Sequence, residues 1–193
     1  MRMSPDPDAD LSDDVLLLRY ANGDGAAARV LTARHAPRVL GLAQRMLGDR
    51  AEAEDVTQEA MLRLWRRAPD WRQGEARLST WLWRVTANLC TDRLRRRRGV
   101  ALDSVPEPAD AAPSADQRLM AADRVAALDR ALAALPERQR LAVVLRHIEG
   151  ASNPEIAETL DTSVEAVESL LARGRRALAA ALGGEKEKLG LDR

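Results

Sequence analysis

Phenylalanine is absent from this 193-residue chain and tyrosine occurs once, so its aromatic side chains come almost wholly from four tryptophans. Cys90 is the single cysteine, which excludes an internal disulfide and a thiolate zinc site. Its place near the apolar side of a predicted helix reads as a small buried residue in a reducing compartment. His35 and His147 show no metal-ligand spacing. There is no HExxH, no paired histidine and no Gly-rich phosphate loop, so no metal, cofactor or catalytic residue is expected. No apolar run approaches the length of a membrane span, so no membrane insertion is expected. The acidic start MRMSPDPDADLSDD is the opposite of a signal peptide, which makes the cytoplasm the expected compartment. Strand signals are missing as well, because β-branched residues are sparse and alternation never persists.

What remains is charge and helical period. The 30 basic and 30 acidic residues cancel to a formal charge of +0. A nucleic-acid binder is usually basic overall, so neutrality here argues for segregation, with acidic surfaces for a protein and basic ones for DNA. The periodicity predicts an all-α protein of two small helical domains joined by a flexible linker. Residues 13–98 make a four-helix N-terminal domain, with breaks at Asn22 to Gly25 and Gly48 to Asp49 and an end at Gly99. Residues 99–116, with Pro106, Pro108 and Pro113 and little large apolar content, read as the linker. Residues 117–182 make the second domain, and 1–12 and 183–193 are tails.

Between Glu54 and Arg98 an acidic helix, a tryptophan-bearing loop and an arginine run follow one another. At 100° per residue Glu52, Asp55, Gln58, Glu59, Leu62 and Arg66 fall on one stripe, opposite Val56, Ala60, Met61 and Leu64. On spacing alone such a stripe is more often a solvated face than a docking surface. After the loop, Ser79 or Thr80 caps a second helix, with Trp81, Leu82, Val85, Leu89 and Leu94 as its apolar positions. Arg84, Asn88, Asp92 and Arg95 recur on its polar stripe. The helix ends in Arg93 and Arg95 to Arg98, five guanidiniums within six residues. That exceeds what the dipole of a last turn needs and points to phosphate. Trp65 and Trp81, at helical spacing, read as core. Trp71, beside Pro69, Asp70, Arg72 and Gly74, is the better candidate for stacking on an unpaired base.

In the second domain Ser152 with Glu155 makes a capping box opening the short helix EIAETL, and Thr162 with Glu165 makes another opening VEAVESLLARGRRALAAAL. A short helix, a tight turn and a longer helix turning basic is the helix-turn-helix layout, although short helix pairs also occur in interaction bundles.

Taken together, the chain resembles the sigma factors of bacterial RNA polymerase, specifically the extracytoplasmic-function (ECF) group of the sigma-70 superfamily, from about Asp13 to Leu182. AEDVTQEAMLRLWR resembles the helix that docks on the clamp coiled coil of the largest polymerase subunit. STWLWRVTANLCTDRLRRRR resembles the helix that recognises and melts the minus-10 element, and LPERQRLAVVLRHIEGASNPEIAETLDTSVEAVESLLARGRRAL the minus-35-binding domain. The resemblance implies polymerase docking through Asp55, Gln58, Glu59 and Leu62. It implies a specificity loop from Trp71 to Ser79 that holds a flipped base, with Arg72, Gln73 and Arg77 as donors. Asn88 matches a position that contacts the minus-10 non-template strand, with Asp92 beside it and Trp81, Arg93, Arg95 and Arg96 on the same helix. Ser163, Glu165, Glu168, Ser169, Arg173, Arg175 and Arg176 fall to minus-35 DNA. Where the family often reads Val-Lys-Ser-Arg-Leu, this chain has Val167-Glu168-Ser169-Leu170-Leu171, two cations fewer.

The implied partners are core RNA polymerase, through the clamp coiled coil and the flap of the second-largest subunit, promoter DNA, and an anti-sigma factor in a stress or envelope response. The linker would thread the polymerase cleft. Two rivals differ in class. An autonomous helix-turn-helix repressor would need only the C-terminal half and would bind duplex without polymerase. A helical metal-dependent hydrolase would need a carboxylate whose loss abolishes activity.

Overall fold

The computed structural model describes residues 11–72, 74, 77–101 and 116–188, with side chains for all of these but 99–101, 116–124 and 184–188. Gln73, Glu75, Ala76, residues 102–115 within the expected linker, and residues 1–10 and 189–193 of the expected tails lie outside the described residues. Among those described the chain is helical without strands: α1 (Asp13–Ala21), α2 (Gly25–Leu47), α3 (Arg50–Arg67), a 3-10 turn (Ala68–Asp70), α4 (Leu78–Ala101), α5 (Asp116–Ala133), α6 (Glu137–His147), α7 (Asn153–Leu160) and α8 (Val164–Lys188). No helix among the described residues is long and apolar enough to cross a membrane.

Packing divides the described residues into two units, one running up to Gln44 and from Asp49 to Leu89, the other taking Arg45–Gly48 and those from Cys90 on. The expected N-terminal domain of residues 13–98 therefore contributes to both.

In the first unit, Ser12 caps α1 by accepting from the Val15 N–H, and Asp13 and Asp14 in its first turn suit the positive end of the helix dipole. Asp13 also leaves its own helix: one carboxylate oxygen lies 3.0 Å from Nε2 of buried His35 and the other accepts from Arg34, which fixes α1 to α2. Burial pushes the Asp13 carboxyl up, but the hydrogen bond and charge of His35, followed by those of Arg34, outweigh it and hold it below its ordinary value. Asp49 caps α3, accepting from the Glu52 N–H at 2.9 Å. The core gathers Leu16 and Leu17 of α1, Leu31 and Val39 of α2, Ala60 and Leu64 of α3, and Leu78 and Leu82 of α4. Each such buried leucine contributes on the order of 2 kcal/mol.

The bounds of α4 differ from the expectation at both ends. The helix begins at Leu78, so Ser79 and Thr80 lie inside its first turn rather than capping it, with Thr80 buried. It also runs through Gly99 to Ala101. One glycine costs a helix roughly 1 kcal/mol against alanine, which does not stop a helix already propagating.

In the second unit α6 packs on α7 and α8, and α5 on α8. Leu141 to Leu145, Ile156, Ala157, Val167 and Leu171 are buried. The capping box of α7 forms in both directions: Ser152 N–H donates to Glu155 at 2.8 Å, and Glu155 N–H donates to Ser152 Oγ at 3.4 Å. Asp161 takes a left-handed conformation, φ 48°, and Thr162 N–H returns to the Ala157 carbonyl, so Thr162 closes α7. The cap of α8 is accordingly Ser163, whose Oγ accepts from Ala166 N–H at 3.2 Å, and the expected Thr162–Glu165 box is displaced by one residue. Glu165 falls one position too early to reciprocate.

Gly174 lets α8 approach α6 closely, because a Cβ there would come within 2.6 Å of Val143 Cγ2. Val143 is buried and β-branched and has little room to turn away. Gly183, on the same helix, has open space around it. Gly183→Ala should therefore raise stability by up to about 1 kcal/mol. Gly174→Ala should lose that gain, because overpacking costs about 1–3 kcal/mol. Urea midpoints of the two variants against the parent check the sign.

Candidate functional site

The acidic stripe of α3 emerges where the helical period places it. Val56, Ala60, Met61 and Leu64 are buried, which turns the opposite face outward: Asp55 and Gln58 are exposed, Glu59 is half-buried and Leu62 is 40% exposed. Glu59 accepts from Arg63 Nε at 2.8 Å. That hydrogen bond first, then the charges of Arg63 and Arg66, outweigh partial desolvation and hold the Glu59 carboxyl below its ordinary value. The face presents fixed negative charge around one exposed leucine.

The loop after α3 is stapled at its base. Trp71 ends the 3-10 turn, its N–H donating to Ala68 at 3.2 Å, and its ring meets that of Trp81 edge-on with centroids 5.9 Å apart. Its indole N–H donates to Asp14 Oδ1 at 3.3 Å. Trp71 is thus half-buried rather than freely displayed, yet it also lines an open, polar recess of about 610 Å³ with Arg67, Pro69, Asp70 and Arg72. A second recess of about 320 Å³ lies between Ser12, Asp13 and Asp14 on one side and Gly74, Arg77, Leu78 and Ser79 on the other. Arg72 and Arg77 are both exposed.

On α4, Trp81, Arg84, Asn88, Asp92 and Arg95 share a face within about 40° of Asn88, and Arg84, Asn88, Asp92 and Arg95 are exposed. Arg96 is exposed on a flank of that face, whereas Arg93 lies on the far side of the helix and is half-buried. Arg97 caps α2, its Nη1 donating to the Leu47 carbonyl at 3.0 Å, so one guanidinium of the run is structural. The tryptophan expectation changes too. Trp83, 5% exposed, is the buried one, with the Arg38 guanidinium 5.6 Å from its ring, while Trp65 and Trp81 are only half-buried. Two residues apart on a helix, Trp81 and Trp83 point about 200° apart, so they cannot share one side.

On α8, Val167, Leu171 and Gly174 face inward, and Ser163, Glu165, Glu168, Ser169, Arg173, Arg175 and Arg176 are all exposed. Glu165, Ser169, Arg173 and Arg176 lie on the side away from the core, with Glu168 and Arg175 on one flank. The Glu165 carboxyl is held below its ordinary value by a backbone hydrogen bond and by Ser163.

Two residues here escape a periodic reading. Arg67 looks like a last-turn cation and Asp14 like a first-turn acid; only the fold brings them to Trp71.

Comparison with known proteins gives two matches in order: Sigma-70 region 2 over residues 31–100 and Sigma-70, region 4 over residues 126–178. The chain is 39% identical over 165 residues to the ECF RNA polymerase sigma factor SigE of Mycolicibacterium smegmatis, covering 82% of this chain and 63% of that protein. It is 37% identical over 172 residues to SigM of Mycobacterium tuberculosis, covering 89% and 85%, and 31% identical over 179 residues to the ECF sigma-E factor of Escherichia coli, covering 87% and 93%. Among solved structures, CnrH in complex with the cytosolic domain of CnrY aligns at a TM-score of 0.67 and 29% identity, over 89% of this chain and 97% of that one. The sigma factor RpoE from Bartonella quintana, in complex with the anti-sigma factor NepR, shares the fold at a TM-score of 0.69 and 22% identity, over 80% and 96%. The chain belongs to the ECF sigma factors of the sigma-70 family, a non-enzymatic group that directs transcription initiation.

Proposed function

We propose that the chain is a dissociable promoter-specificity subunit acting in the cytoplasm. It docks on the clamp coiled coil of core RNA polymerase through Asp55, Gln58, Glu59 and Leu62, and its C-terminal unit meets the flap. The loop from Trp71 to Ser79 captures an unpaired minus-10 base, and Asn88, Asp92, Arg95 and Arg96 hold the same strand. Arg173, Arg175 and Arg176 grip phosphates of the minus-35 duplex, while Glu168 and Ser169 face its bases. The observation that carries this reading is the exposed face of α4, where Arg84, Asn88, Asp92 and Arg95 line up behind a loop that exposes Arg72 beside Trp71 and Arg77 just before the helix. CnrH, 29% identical, is solved in complex with the cytosolic domain of CnrY, and a protein partner is accordingly proposed for this chain as well, an anti-sigma factor in a stress or envelope response.

With core polymerase added, promoters selected from a randomised library should shift their minus-35 sequence for Glu168→Lys. Glutamate can accept from a cytosine amino group, whereas lysine favours guanine. Arg176→Ala should instead weaken binding to every duplex alike and reduce the salt slope by about one. An unchanged minus-35 preference in Glu168→Lys removes Glu168 from the reading face.

A further inference from the structure

We infer that Asp14, on α1, is a positioning residue for the promoter loop, acting through the indole N–H of Trp71. The inference rests on the proposed role of that loop in capturing the unpaired strand. Asp14 lies outside the segment matched to Sigma-70 region 2, which begins at residue 31. It is 57 residues from Trp71 in sequence, yet its Oδ1 accepts from Trp71 Nε1 at 3.3 Å.

An indole has one donor, and a carboxylate is the stronger kind of acceptor for it. With the ring already edge-on to Trp81, that single bond selects one orientation of the indole in its half-buried seat. Trp71 opens the loop and Trp81 lies in the first turn of α4, so fixing one ring against the other sets how the chain leaves α3 and enters α4. Arg72 and Arg77 sit just inside those two posts. Asp14 also contributes to the wall of the 320 Å³ recess that Arg77 faces.

A first-turn acid would by itself be only a dipole partner. The neighbouring Asp13 shows that more is built here, because its bonds to His35 and Arg34 hold α1 on α2. Asp14 is therefore a fixed acceptor rather than one on a fraying turn. Without it Trp71 keeps its packing on Trp81 and loses the bond that chooses its orientation, so Arg72 and Arg77 meet the strand from a less ordered loop.

The test uses holoenzyme assembled from the full chain and core polymerase, with a single-stranded minus-10 oligonucleotide as probe. Asp14→Ala and Trp71→Phe should each lower capture of the oligonucleotide about five- to tenfold, the net scale of one lost hydrogen bond. The double variant should be no worse than the weaker single one, because both remove the same bond. Asp14→Asn, whose amide oxygen still accepts, should recover most of the loss. Core-polymerase affinity and melting temperature should stay near the parent's. If Asp14→Ala does not fold, Trp71→Phe alone and combined with Asp14→Asn carries the test, with the same requirement that the combination add nothing. Undiminished capture by Asp14→Ala, additive losses in the double variant, or a loss that tracks weakened core binding overturns the inference. Arg77→Ala separates it from the reading beneath: capture lost there but intact in Asp14→Ala sinks only the role of Asp14, whereas capture intact in Arg77→Ala sinks the loop assignment itself.

Discussion

Holoenzyme carrying Asn88→Ala should assemble on core polymerase and bind its promoter as closed duplex, yet leave the minus-10 thymines unreactive to permanganate. Asn88 is exposed on α4, so truncating it costs the fold little. Its amide offers two donors and an acceptor to the edge of an unpaired base, and a bidentate contact of that kind is worth about 1–3 kcal/mol. Trp71→Ala should fail at the same step. A base stacked on an aromatic contributes roughly 1–3 kcal/mol, or a five- to 150-fold effect on the opening equilibrium. The two variants should then part company in the free protein. Trp71→Ala also loses its ring packing on Trp81, so its melting temperature should fall while that of Asn88→Ala stays level. A promoter with an artificial bubble should not fully rescue Asn88→Ala, because the residue is proposed to read the strand as well as to stabilise the opening. Permanganate reactivity equal to the parent's in both variants would falsify the melting role even with polymerase association intact.

How far the sequence discloses this arrangement depends on whether a signal is local. The α3 face is legible because Val56, Ala60 and Leu64 recur at helical spacing, and burying them forces Asp55 and Leu62 outward. Likewise Ser152 and Glu155 are three residues apart and find each other without help from the rest of the fold. Local signals compete, however. Thr162 and Ser163 are both good caps, and the return of Thr162 N–H to Ala157 decides between them by closing α7 first. Ser79 and Thr80 lose their capping role in a similar way, since Leu78 is drawn into the core and carries the helix start two or three residues closer to the loop. Contacts made across the fold leave no periodic trace. That Asp14 meets Trp71, or that one arginine of the run, Arg97, is spent on the Leu47 carbonyl, follows only once the helices are packed.

Asp55→Arg should abolish stable co-purification with core polymerase while leaving the helical fold unchanged. The substitution lies on the outward stripe of α3, opposite Val56, Ala60 and Leu64, so the longer side chain meets solvent and not the core. In the complex it reverses a charge where the proposed partner supplies a cation. Losing one member of a desolvated, hydrogen-bonded charge pair costs about 2–5 kcal/mol, at least thirtyfold in affinity. Glu59→Arg should act in the same direction, and it also sets like charges together with Arg63, its present partner. Leu62 supplies the complementary test. At 40% exposure it contributes little to the free protein, so Leu62→Ala should leave thermal stability nearly unchanged. An apolar anchor at the centre of a charged patch would nonetheless cost more than about 1 kcal/mol of binding when truncated. Salt separates the two contributions: raising ionic strength should narrow the gap between parent and Asp55→Arg and leave the Leu62→Ala deficit in place. Core affinity measured by competition should therefore show a salt-dependent loss at Asp55 and a salt-independent one at Leu62. If Asp55→Arg and Leu62→Ala both bind core polymerase like the parent at low salt, the stripe is an ordinary solvated face and the polymerase is held elsewhere.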